Sequence, residues 1–308
     1  MFSGNGTASI LQDILMAART TVITITHNGG LVIGGLLKSL PADLPLIVVD
    51  NASKDDTLDI VTSLRPDAKI IRNPVGLGYG AAASQGLSEV TTEFALLANP
   101  DALMTQDAID ALVQAADQYP EAAMFGPLHK DGNGNIEPSH DVELWKRGIF
   151  GKQAYEITPE GPICVEFLSG AVNLVRMNAM KEVGFYDPEI YLYFEDDDMC
   201  MRFRQAGYGL ILVAASVVTH LNGGSVRPNR AYYWEKFWNI AWSRIYFETK
   251  YKGRLAGSCL GIKYALRYAG KALVHGIAMK RAKGWRDLAR SAGSLAAVFG
   301  VRASKLPR

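Results

Sequence analysis

Residues 20–28 read TTVITITHN, a run of β-branched and apolar residues that ends abruptly in polar ones. Two later runs repeat this design, LIVV at 46–49 before Asp50 and FALL at 94–97 shortly before Asn99. Each run has the length and composition of a buried strand. Helical patterns separate the runs, and an alternation of strands and helices predicts βαβ units with a parallel sheet.

Polar side chains gather where these predicted strands end. Ligands of parallel α/β sheets bind beyond the carboxyl ends of the strands. The polar residues at those ends are Thr26, His27, Asn28, Asp50, Asn51, Asn99 and Asp101. The glycine-rich turn at 76–80, GLGYG, lacks the spacing of a dinucleotide fingerprint, but a glycine such as Gly78 lets a nucleotide approach the backbone. We therefore expect a nucleotide site at this edge.

The segment Asn99-Pro100-Asp101 supports two interpretations. It is good turn chemistry, so a plain turn explains it. Alternatively, Asp101 helps to hold Mg²⁺ or Mn²⁺, because such ions bind a diphosphate through one or two carboxylates and the phosphate oxygens. His220 ends the last predicted strand, 210–219, and precedes NGGS at 222–225. It is either a structural or surface histidine or a second metal ligand beside Asp101.

Four adjacent acids, Glu195-Asp196-Asp197-Asp198, open a predicted helix that ends near Ala206. A solvated helix start explains them, since acids favour the positive end of a helix dipole. Four neighbouring like charges repel, however, and the preceding YLYF at 191–194 is apolar, so part of the cluster should approach the interior. A carboxylate there would have a raised pKa and could act as general base on an acceptor hydroxyl.

The net charge of +1 conceals an asymmetry between the two parts of the chain. Residues 249–308 contain 14 lysines and arginines but one acid, Asp287, whereas the preceding part is acidic. Polybasic segments favour an anionic membrane surface, and Trp234, Trp238 and Trp242 repeat at helical spacing as in a headgroup-level belt. Helices that pack on the body, with the tryptophans in a core, are the alternative. Nucleic-acid binding is not expected, because the acidic body would oppose it.

The cysteine pattern and the hydropathy indicate in which cellular compartment the protein resides. Cys164, Cys200 and Cys259 lie far apart without a CxxC or Cys/His cluster, which disfavours a disulfide framework or a zinc site and favours a reducing cytosol. No run reaches the roughly 18 to 20 apolar residues of a spanning helix, and residues 1–19 lack the features of a signal peptide. We expect a cytoplasmic protein that is peripheral on the inner face of the plasma membrane.

The order of the motifs resembles that of the inverting family 2 glycosyltransferases, most strongly the bacterial rhamnosyltransferase-like and galactofuranosyltransferase-like members. In order, the motifs are VITITHN, VVDNASKDD, NPVGLGYG, LLANPD, FLSGAVNLVR, YLYFEDDDMCMRFRQAGY and VVTHLNGGS, over about residues 20–226. The resemblance implies the α/β GT-A fold, a Rossmann-like, mostly parallel sheet flanked by helices. We expect an N-terminal segment at 1–19, this domain at 20–230 and a basic, aromatic helical extension at 231–308 that associates with a membrane.

The resemblance also implies roles for individual residues. Asp101 stands in the metal motif, where Asn99 replaces the first acid, and His220 stands where some members supply a metal-binding histidine. Asp196, or alternatively Glu195, stands at the catalytic base. The residues expected to bind the nucleotide-sugar are Thr26, Asn28, Asp50, Asn51, Gly78, Asn99, Ser169 and Gly170.

These expectations combine into a predicted function. The chain would transfer one sugar, with inversion and a divalent metal, from a nucleotide-sugar to a lipid-linked glycan acceptor at a membrane in cell-surface polysaccharide synthesis. dTDP-L-rhamnose is the favoured donor and a UDP-sugar the next. A sugar nucleotidyltransferase is an alternative, but the loop after the first strand has no basic residue before Lys38. A non-catalytic membrane-associated binding protein would not need Asp101, the acid cluster and His220, which we expect to converge on one cleft.

Overall fold

The computed structural model describes residues 19–146, 159–221 and 229–303. Residues 1–18 of the predicted N-terminal segment and the NGGS sequence at 222–225 lie outside the described residues. The chain divides into two compact units. The first comprises Met1–Gly76, Ala82–Phe185 and Met199–Val226, and the second comprises Leu77–Ala81, Tyr186–Asp198 and Arg227–Arg308.

The first half of the sheet in the first unit is parallel, as predicted. Strand β1, Thr20–Thr26, lies between β2, Leu46–Asp50, and β4, Phe94–Ala98, and β3, Lys69–Arg72, lies outside β2. Every residue of β1, β2 and β4 is buried, which is typical of parallel strands covered on both faces. The carboxyl ends of these strands therefore form one edge of the sheet.

Three further strands, β11, β6 and β12, extend the sheet beyond β4. Strand β11, Val172–Arg176, is antiparallel to β4 and to β6, Ala122–Lys130, and β12, Gly209–His220, runs parallel to β6. Strand β5, Ala102–Leu103, pairs with the end of β12. The remaining short strands are β7, Ile136–Glu137, and β9, Ile163–Cys164, on this sheet, and β8, His140–Asp141, with β10, Phe167–Leu168, as a separate pair.

Helices cover this sheet. Those of the first unit are α1, Ile33–Ser39, α2, Thr57–Leu64, α4, Gln106–Gln118, and α5, Met177–Val183, while α3, Tyr79–Ser88, and α6, Glu195–Gln205, begin in the second unit and continue in the first. Helix α4 begins after Thr105, whose hydroxyl accepts the Ala108 N–H at 3.3 Å. Helix α3 lies close to β1 because Gly86 has no Cβ, which would stand 2.6 Å from Ile23 Cγ2.

Two predictions about this sheet need correction. The sequence pattern predicts loops and short hairpins from Gly126 to Gly161, and turns with two-residue strands do occupy 131–141, but β6 runs through Gly126 and Pro127 to Lys130 without a break. A Cβ on Gly126 would lie 2.7 Å from Leu168 Cδ2, so close packing explains the glycine. The continuous strand predicted at 165–175 is two strands, β10 and β11, with a turn between them. Residues 147–158 of the predicted loop region lie outside the described residues.

Three long helices make up most of the second unit. They are α7, Arg230–Lys252, α8, Arg254–Ile277, and α9, Arg281–Val298. Gly253, with φ of 90°, forms the corner between α7 and α8. Helices α7 and α9 approach closely at Gly293, where a Cβ would overlap the carbonyl oxygen of Trp238. Within the described ranges, no helix is both long and apolar enough to cross a membrane.

The tryptophan stripe of α7 packs within this unit. Trp242 is buried, and its indole N–H donates to the Val301 carbonyl at 2.6 Å. The Trp234 ring lies 4.6 Å from that of Trp285 on α9. The core interpretation of the stripe is therefore correct for Trp242, and a headgroup belt does not describe it.

Candidate functional site

The carboxyl ends of β1 and β2 lie side by side. Thr26 pairs with Asp50 in the parallel register, and the Asn51 N–H donates to the Thr26 carbonyl at 2.8 Å. Asp50 and Asn51 are both buried. A carboxylate and an amide that are buried at the edge of a sheet can orient a polar ligand. The structure thus brings together three of the predicted nucleotide-binding residues.

Two turns with unusual backbone geometry follow these strands. Asn28 and Ala52 have φ angles of 53° and 69°, in a region that costs a residue with a side chain roughly 1–2 kcal/mol. The Asn28 N–H donates to Ser53 Oγ at 2.9 Å, and the Lys54 N–H donates to Asn28 Oδ1 at 2.8 Å. The Ser53 N–H also donates to Asp50 Oδ1 at 3.2 Å. One network therefore connects Asn28 with Asp50 through Ser53, which sequence reasoning did not select.

A carboxylate and an imidazole lie together where β5 meets β12. His220 pairs with Ala102, and the Leu221 N–H donates to the Asp101 carbonyl at 3.0 Å. The buried Asp101 carboxylate places Oδ1 3.4 Å from His220 Nε2. The Ala102 N–H donates to the Asn99 carbonyl at 3.0 Å, so the Asn-Pro-Asp segment is also a turn. The turn presents Asp101 to His220.

Two side chains that sequence reasoning missed surround His220. The ring of His129 on β6 is buried, 5.8 Å from the His220 ring, and Glu137 Oε2 lies 3.9 Å from His220 Nδ1. Burial, together with the positive charges that His220 and His140 could carry, lowers the pKa of His129 to about 3, so its imidazole is neutral. The parallel pairing of β6 with β12, in which His129 lies opposite Val218, brings the ring here. No pattern signals it because β6 itself is not predicted.

Asp101 and His220 fit a divalent cation as a partial set of ligands. Within the described ranges, no three or more His, Cys, Asp or Glu side chains are arranged to hold a metal by themselves. Two protein ligands are enough where the phosphate oxygens and waters of a bound substrate complete the coordination. A carboxylate oxygen suits Mg²⁺ and Mn²⁺ alike, and the imidazole favours Mn²⁺.

The turn between β10 and β11 lies next to Asn99. The Asn99 N–H donates to the Ala171 carbonyl at 2.8 Å, and Asn173 Nδ2 donates to the Ser169 carbonyl at 2.8 Å. Gly170 is buried and Ser169 is half-buried. These contacts hold the turn of Ser169 and Gly170 beside Asn99, and the role of all three in binding the sugar stays a prediction.

In the second unit, the backbone is strained immediately before the four acids. Tyr193 and Phe194 have φ angles of 66° and 68°, which are outliers for bulky residues. Ser243 Oγ donates to the Leu192 carbonyl at 2.9 Å, and the rings of Phe194 and Phe247 are 5.7 Å apart. Strain that the surrounding structure imposes concentrates at functional sites. The geometry therefore marks the acid cluster as a candidate site.

The four acids differ in burial. Glu195, Asp197 and Asp198 are buried, whereas Asp196 is half-buried. Asp198 is 0% exposed, and Lys250 Nζ lies 2.6 Å from its Oδ1. A solvated helix start is therefore the wrong interpretation for three of these acids, whose carboxylates lie inside the protein. Asp196 is the most exposed of the four.

Gly78 and Tyr79 lie against the strained segment. Gly78 has φ of 88°, and a Cβ there would overlap the Tyr191 carbonyl oxygen. The Tyr79 N–H donates to the same oxygen at 3.2 Å. Burial raises the pKa of the Tyr79 phenol well above its ordinary value, and the charges of Asp196 and Glu195 raise it further. Tyr79 therefore stays protonated in the field of both carboxylates.

The sequence can now be compared with known families. Residues 21–176, half of the chain, match the family model of Glycosyl transferase family 2. The chain belongs to glycosyl transferase family 2. The family is the one that the order of motifs predicts, and the matched stretch contains the ends of β1, β2 and β4. Membership of this family excludes the two alternatives considered for the sequence, a sugar nucleotidyltransferase and a non-catalytic binding protein.

Two relatives of this glycosyltransferase are named rhamnosyltransferases. It is 28% identical to the N-acetylglucosaminyl-diphospho-decaprenol L-rhamnosyltransferase of Mycobacterium tuberculosis, over 65% of this chain and 75% of the relative. It is 24% identical to the O-antigen chain rhamnosyltransferase RfbN of Salmonella typhimurium, over 70% of this chain and 71% of the relative.

Solved structures share the fold. The mannosyltransferase PcManGT of Pyrobaculum calidifontis, solved with GDP-Man and Mn²⁺, matches with a TM-score of 0.56 at 17% identity over 92% of this chain and 87% of that chain. S. aureus TarS matches with a TM-score of 0.52 at 19% identity over 72% of this chain, and the chain spans only 39% of that protein. Together with the mostly parallel sheet and its flanking helices, these matches show the GT-A fold.

The predicted site residues of this glycosyltransferase form two groups. The first unit holds the metal-site candidates, Asp101 and His220, together with all of the predicted nucleotide-sugar residues except Gly78. The second unit holds Gly78, Glu195 and Asp196. The roles of these residues, and their convergence on one cleft, stay predictions.

Proposed function

We propose that this glycosyltransferase transfers a single sugar, with inversion, from a nucleotide-sugar to a lipid-linked glycan in the synthesis of a cell-surface polysaccharide. The observation that carries the proposal is the pairing of the buried Asp101 carboxylate with His220, 3.4 Å apart, in a chain of glycosyl transferase family 2. The mycobacterial relative is named for an acceptor on diphospho-decaprenol, which supports a lipid-linked acceptor for this chain.

The favoured donor is dTDP-L-rhamnose, with a UDP-sugar as the second candidate. Two relatives are named rhamnosyltransferases, which supports the first choice. In this proposal Thr26, Asn28, Asp50 and Asn51 bind the nucleoside, and the network from Asn28 to Asp50 keeps their side chains in place before the donor arrives. Asn99, Ser169 and Gly170 line the sugar pocket, and the turn of Gly78 admits the backbone of the nucleotide.

Asp196 is the proposed general base, with Glu195 as the alternative. Its carboxylate takes the proton of the acceptor hydroxyl, and the hydroxyl oxygen bonds to the anomeric carbon opposite the leaving group. The bond from that carbon to the diphosphate breaks, and its electron pair leaves with the diphosphate, so the configuration inverts. The half-buried position of Asp196 behind the strained Tyr193–Phe194 segment supports this role.

Asp101 and His220 are the proposed holders of Mg²⁺ or Mn²⁺. The cation would neutralise the charge that develops on the departing diphosphate. The distance of 3.4 Å between Asp101 Oδ1 and His220 Nε2 supports the assignment, because it brings a carboxylate and an imidazole within reach of one cation. The presence of Mn²⁺ with GDP-Man in the PcManGT structure is consistent with it.

The helical extension at 231–308 is the proposed contact with an anionic membrane surface, and the domain at 20–230 carries the chemistry. This arrangement would place the enzyme in the cytoplasm on the inner face of the plasma membrane, where a lipid-linked acceptor is within reach. The excess of basic residues in the last sixty residues supports it.

The decisive test is Asp196→Asn with labelled dTDP-L-rhamnose and a polyprenyl-diphosphate-linked N-acetylglucosamine acceptor. We expect transfer to fall by at least about a hundredfold, in line with the loss of a general base, while calorimetry shows unchanged nucleotide binding. Asp107→Asn is the matched control, an exposed acid in the first turn of α4, and should transfer at the wild-type rate. Transfer near the wild-type rate in Asp196→Asn would remove Asp196 from this role and direct the same test to Glu195→Gln.

A further inference from the structure

The second unit contains a pocket of about 860 Å³ that the proposed chemistry does not use. It lies between the start of α7, the end of α8 and the start of α9. Its apolar wall consists mainly of Tyr233, Phe237, Trp285 and Leu288. This volume is within the range of sites that bury a small ligand or part of a lipid.

The charge around this pocket is entirely positive. Four of the lining residues are basic, namely Arg230, Arg281, Lys283 and Arg286, and none of the lining residues is acidic. The first turns of α7 and α9 contain no acid either, so the positive ends of two helix dipoles add to these charges. Such a pocket attracts an anion, and its apolar wall favours an anion that carries a hydrocarbon part.

Asp287 and Glu235 are the acids close to the pocket in sequence, and neither lines it. Asp287 is 0% exposed, and its carboxylate lies 2.9 Å from His275 Nδ1 and 3.1 Å from Arg286 Nε. Arg290 Nη1 lies 3.7 Å from the same carboxylate. Asp287 therefore joins α8 to α9 and balances Arg286, so the positive charge of the lining comes mainly from Arg230, Arg281 and Lys283.

An apolar stripe on α8 leads to the same place. Leu255, Ile262, Leu266, Leu273 and Ile277 follow one another at intervals of seven and four residues, which keeps them on one helical face. All five are exposed, Leu255 at 81% and Ile277 at 78%. The buried residues of this helix, Gly257, Gly261 and Ala265, lie on another face.

Exposed basic residues border the apolar stripe. Lys263, Arg267 and Lys271 repeat every four residues beside it. The stripe ends at Ile277, adjacent to Gly276, which lines the pocket. A helix that places leucines and isoleucines next to a row of cations has the pattern of a helix in the plane of a membrane interface.

We propose that this pocket binds the phosphate headgroup of an anionic phospholipid while the α8 stripe enters the acyl region of the same membrane. The inference rests on the membrane association proposed above and adds a discrete lipid site to it. If the basic surface attracted the membrane only diffusely, binding would depend on the charges and not on the cavity. A test of the discrete site must therefore alter the cavity while leaving the charges unchanged.

Two glycines of α8 permit that change without altering the charge. A Cβ on Gly276 or on Gly270 would have no atom within 4 Å, and both residues lie in the helix, where leucine is favoured over glycine. Gly276 lines the pocket and Gly270 does not. Gly276→Leu therefore adds an apolar side chain to the pocket lining and narrows the pocket, and Gly270→Leu is its matched control.

The measurement is sedimentation of the full chain with vesicles of phosphatidylcholine, with and without phosphatidylglycerol. We expect tight binding only to the vesicles that contain phosphatidylglycerol. Gly276→Leu should raise the dissociation constant about tenfold, the equivalent of one lost charge-assisted phosphate contact, whereas Gly270→Leu should bind at least as tightly as the wild type. Equal binding by the two variants would overturn the discrete site.

A second pair of variants tests the charges. Arg281→Gln with Lys283→Gln should weaken binding about 20-fold, since each charge near an anionic surface is worth roughly fivefold. Lys38→Gln with Lys181→Gln removes two exposed lysines of the first unit and should leave binding unchanged. Equal losses in both double variants would mean that net charge alone decides, which contradicts the proposal.

Two further arms separate the sources of failure. In the first arm, inorganic phosphate or diphosphate is added at the same phosphate concentration as the lipid. Displacement of the protein from the vesicles would identify a site for soluble anions and overturn the lipid assignment. Transfer to a water-soluble acceptor analogue should be normal in Gly276→Leu. Asp196→Asn should lose transfer and keep vesicle binding, whereas Gly276→Leu should keep transfer and lose vesicle binding. These opposite results separate a failure of the proposed catalytic function from a failure of the proposed lipid site.

Discussion

Lys250 Nζ lies 2.6 Å from Oδ1 of Asp198 and 2.6 Å from Oδ2 of Asp187, so one ammonium holds two carboxylates of the acid-bearing segment. The Tyr251 hydroxyl adds a hydrogen bond to Asp198 at 2.8 Å. Both donors lie in the last turn of α7, which the sequence assigns to the extension. The extension therefore supports the acid cluster as well as carrying basic charge.

Replacing Lys250 with Met should destabilise the protein by roughly 3 kcal/mol at neutral pH, because it leaves the buried Asp198 and the half-buried Asp187 without their cation. Burial acts to raise the pKa of Asp187, but the hydrogen bond and charge of Lys250, together with hydrogen bonds from the Glu189 N–H and the Tyr246 hydroxyl, outweigh it and hold the pKa below its ordinary value. This stability is therefore present above about pH 4 and is lost as the pH falls through the folded pKa. Urea unfolding at neutral and acidic pH should show a deficit that shrinks in acid.

Lys252→Met is the control for this prediction. Lys252 lies on the same helix and pairs with Glu248 at 2.9 Å, but its side chain is 44% exposed. An exposed pair is worth less than about 1 kcal/mol. A deficit in Lys250→Met that is as small as in Lys252→Met, or that persists unchanged in acid, would show that the two carboxylates do not depend on Lys250.

Gly78→Ala should destabilise the protein by roughly 2–3 kcal/mol and slow transfer. Residue 78 has a positive φ, which is unfavourable for alanine, and the new Cβ would overlap the Tyr191 carbonyl oxygen next to the strained segment. Gly134→Ala separates these effects, because Gly134 has φ of 85° but no atom within 4 Å of an added Cβ. It should cost only about 1 kcal/mol and leave transfer unchanged. Equal unfolding curves would contradict the close contact at Tyr191.

Asp101→Asn and His220→Gln should each weaken Mn²⁺ binding in the presence of the nucleotide by at least about tenfold, because each removes a proposed ligand. Titration calorimetry of Mn²⁺ measures this without turnover, and a chelator should abolish transfer in the wild type. Glu137→Gln is the milder comparison, since its carboxylate lies 3.9 Å from His220 Nδ1 and is not a proposed ligand. Unchanged Mn²⁺ affinity in Asp101→Asn would remove the metal role.

The sequence was sufficient for those parts of the site that depend on single strands. Each of β1, β2 and β4 is an apolar run with a polar end, and a parallel sheet places such ends together, so Thr26 and Asp50 could be predicted as neighbours. The pairing of Asp101 with His220 required only that the last strand return to the same edge.

The rest depends on contacts that no local pattern contains. Strand β6 escaped prediction because Gly126 and Pro127 signal a turn, although the glycine serves packing against Leu168. His129 was missed with it. The acid cluster was expected to approach the interior, but the ion pair that buries Asp198 could not be foreseen, because its partner, Lys250, lies more than fifty residues away and looks like one member of a solvated basic tail.

Ala52→Gly should stabilise the protein by up to about 1 kcal/mol. Ala52 has φ of 69°, which costs a residue with a Cβ roughly 1–2 kcal/mol, and glycine removes that cost while losing somewhat less through the added freedom of the unfolded chain. Ala68→Gly, at a partly buried alanine without a positive φ, should destabilise instead. Donor affinity should be unchanged in Ala52→Gly, because the bonds from Ser53 to Asp50 and from Asn28 to Ser53 hold the turn. Thermal unfolding, with and without the nucleotide, measures the expected gain in stability of Ala52→Gly and the expected loss in Ala68→Gly. If Ala52→Gly lost as much stability as Ala68→Gly, the turn would not be strained.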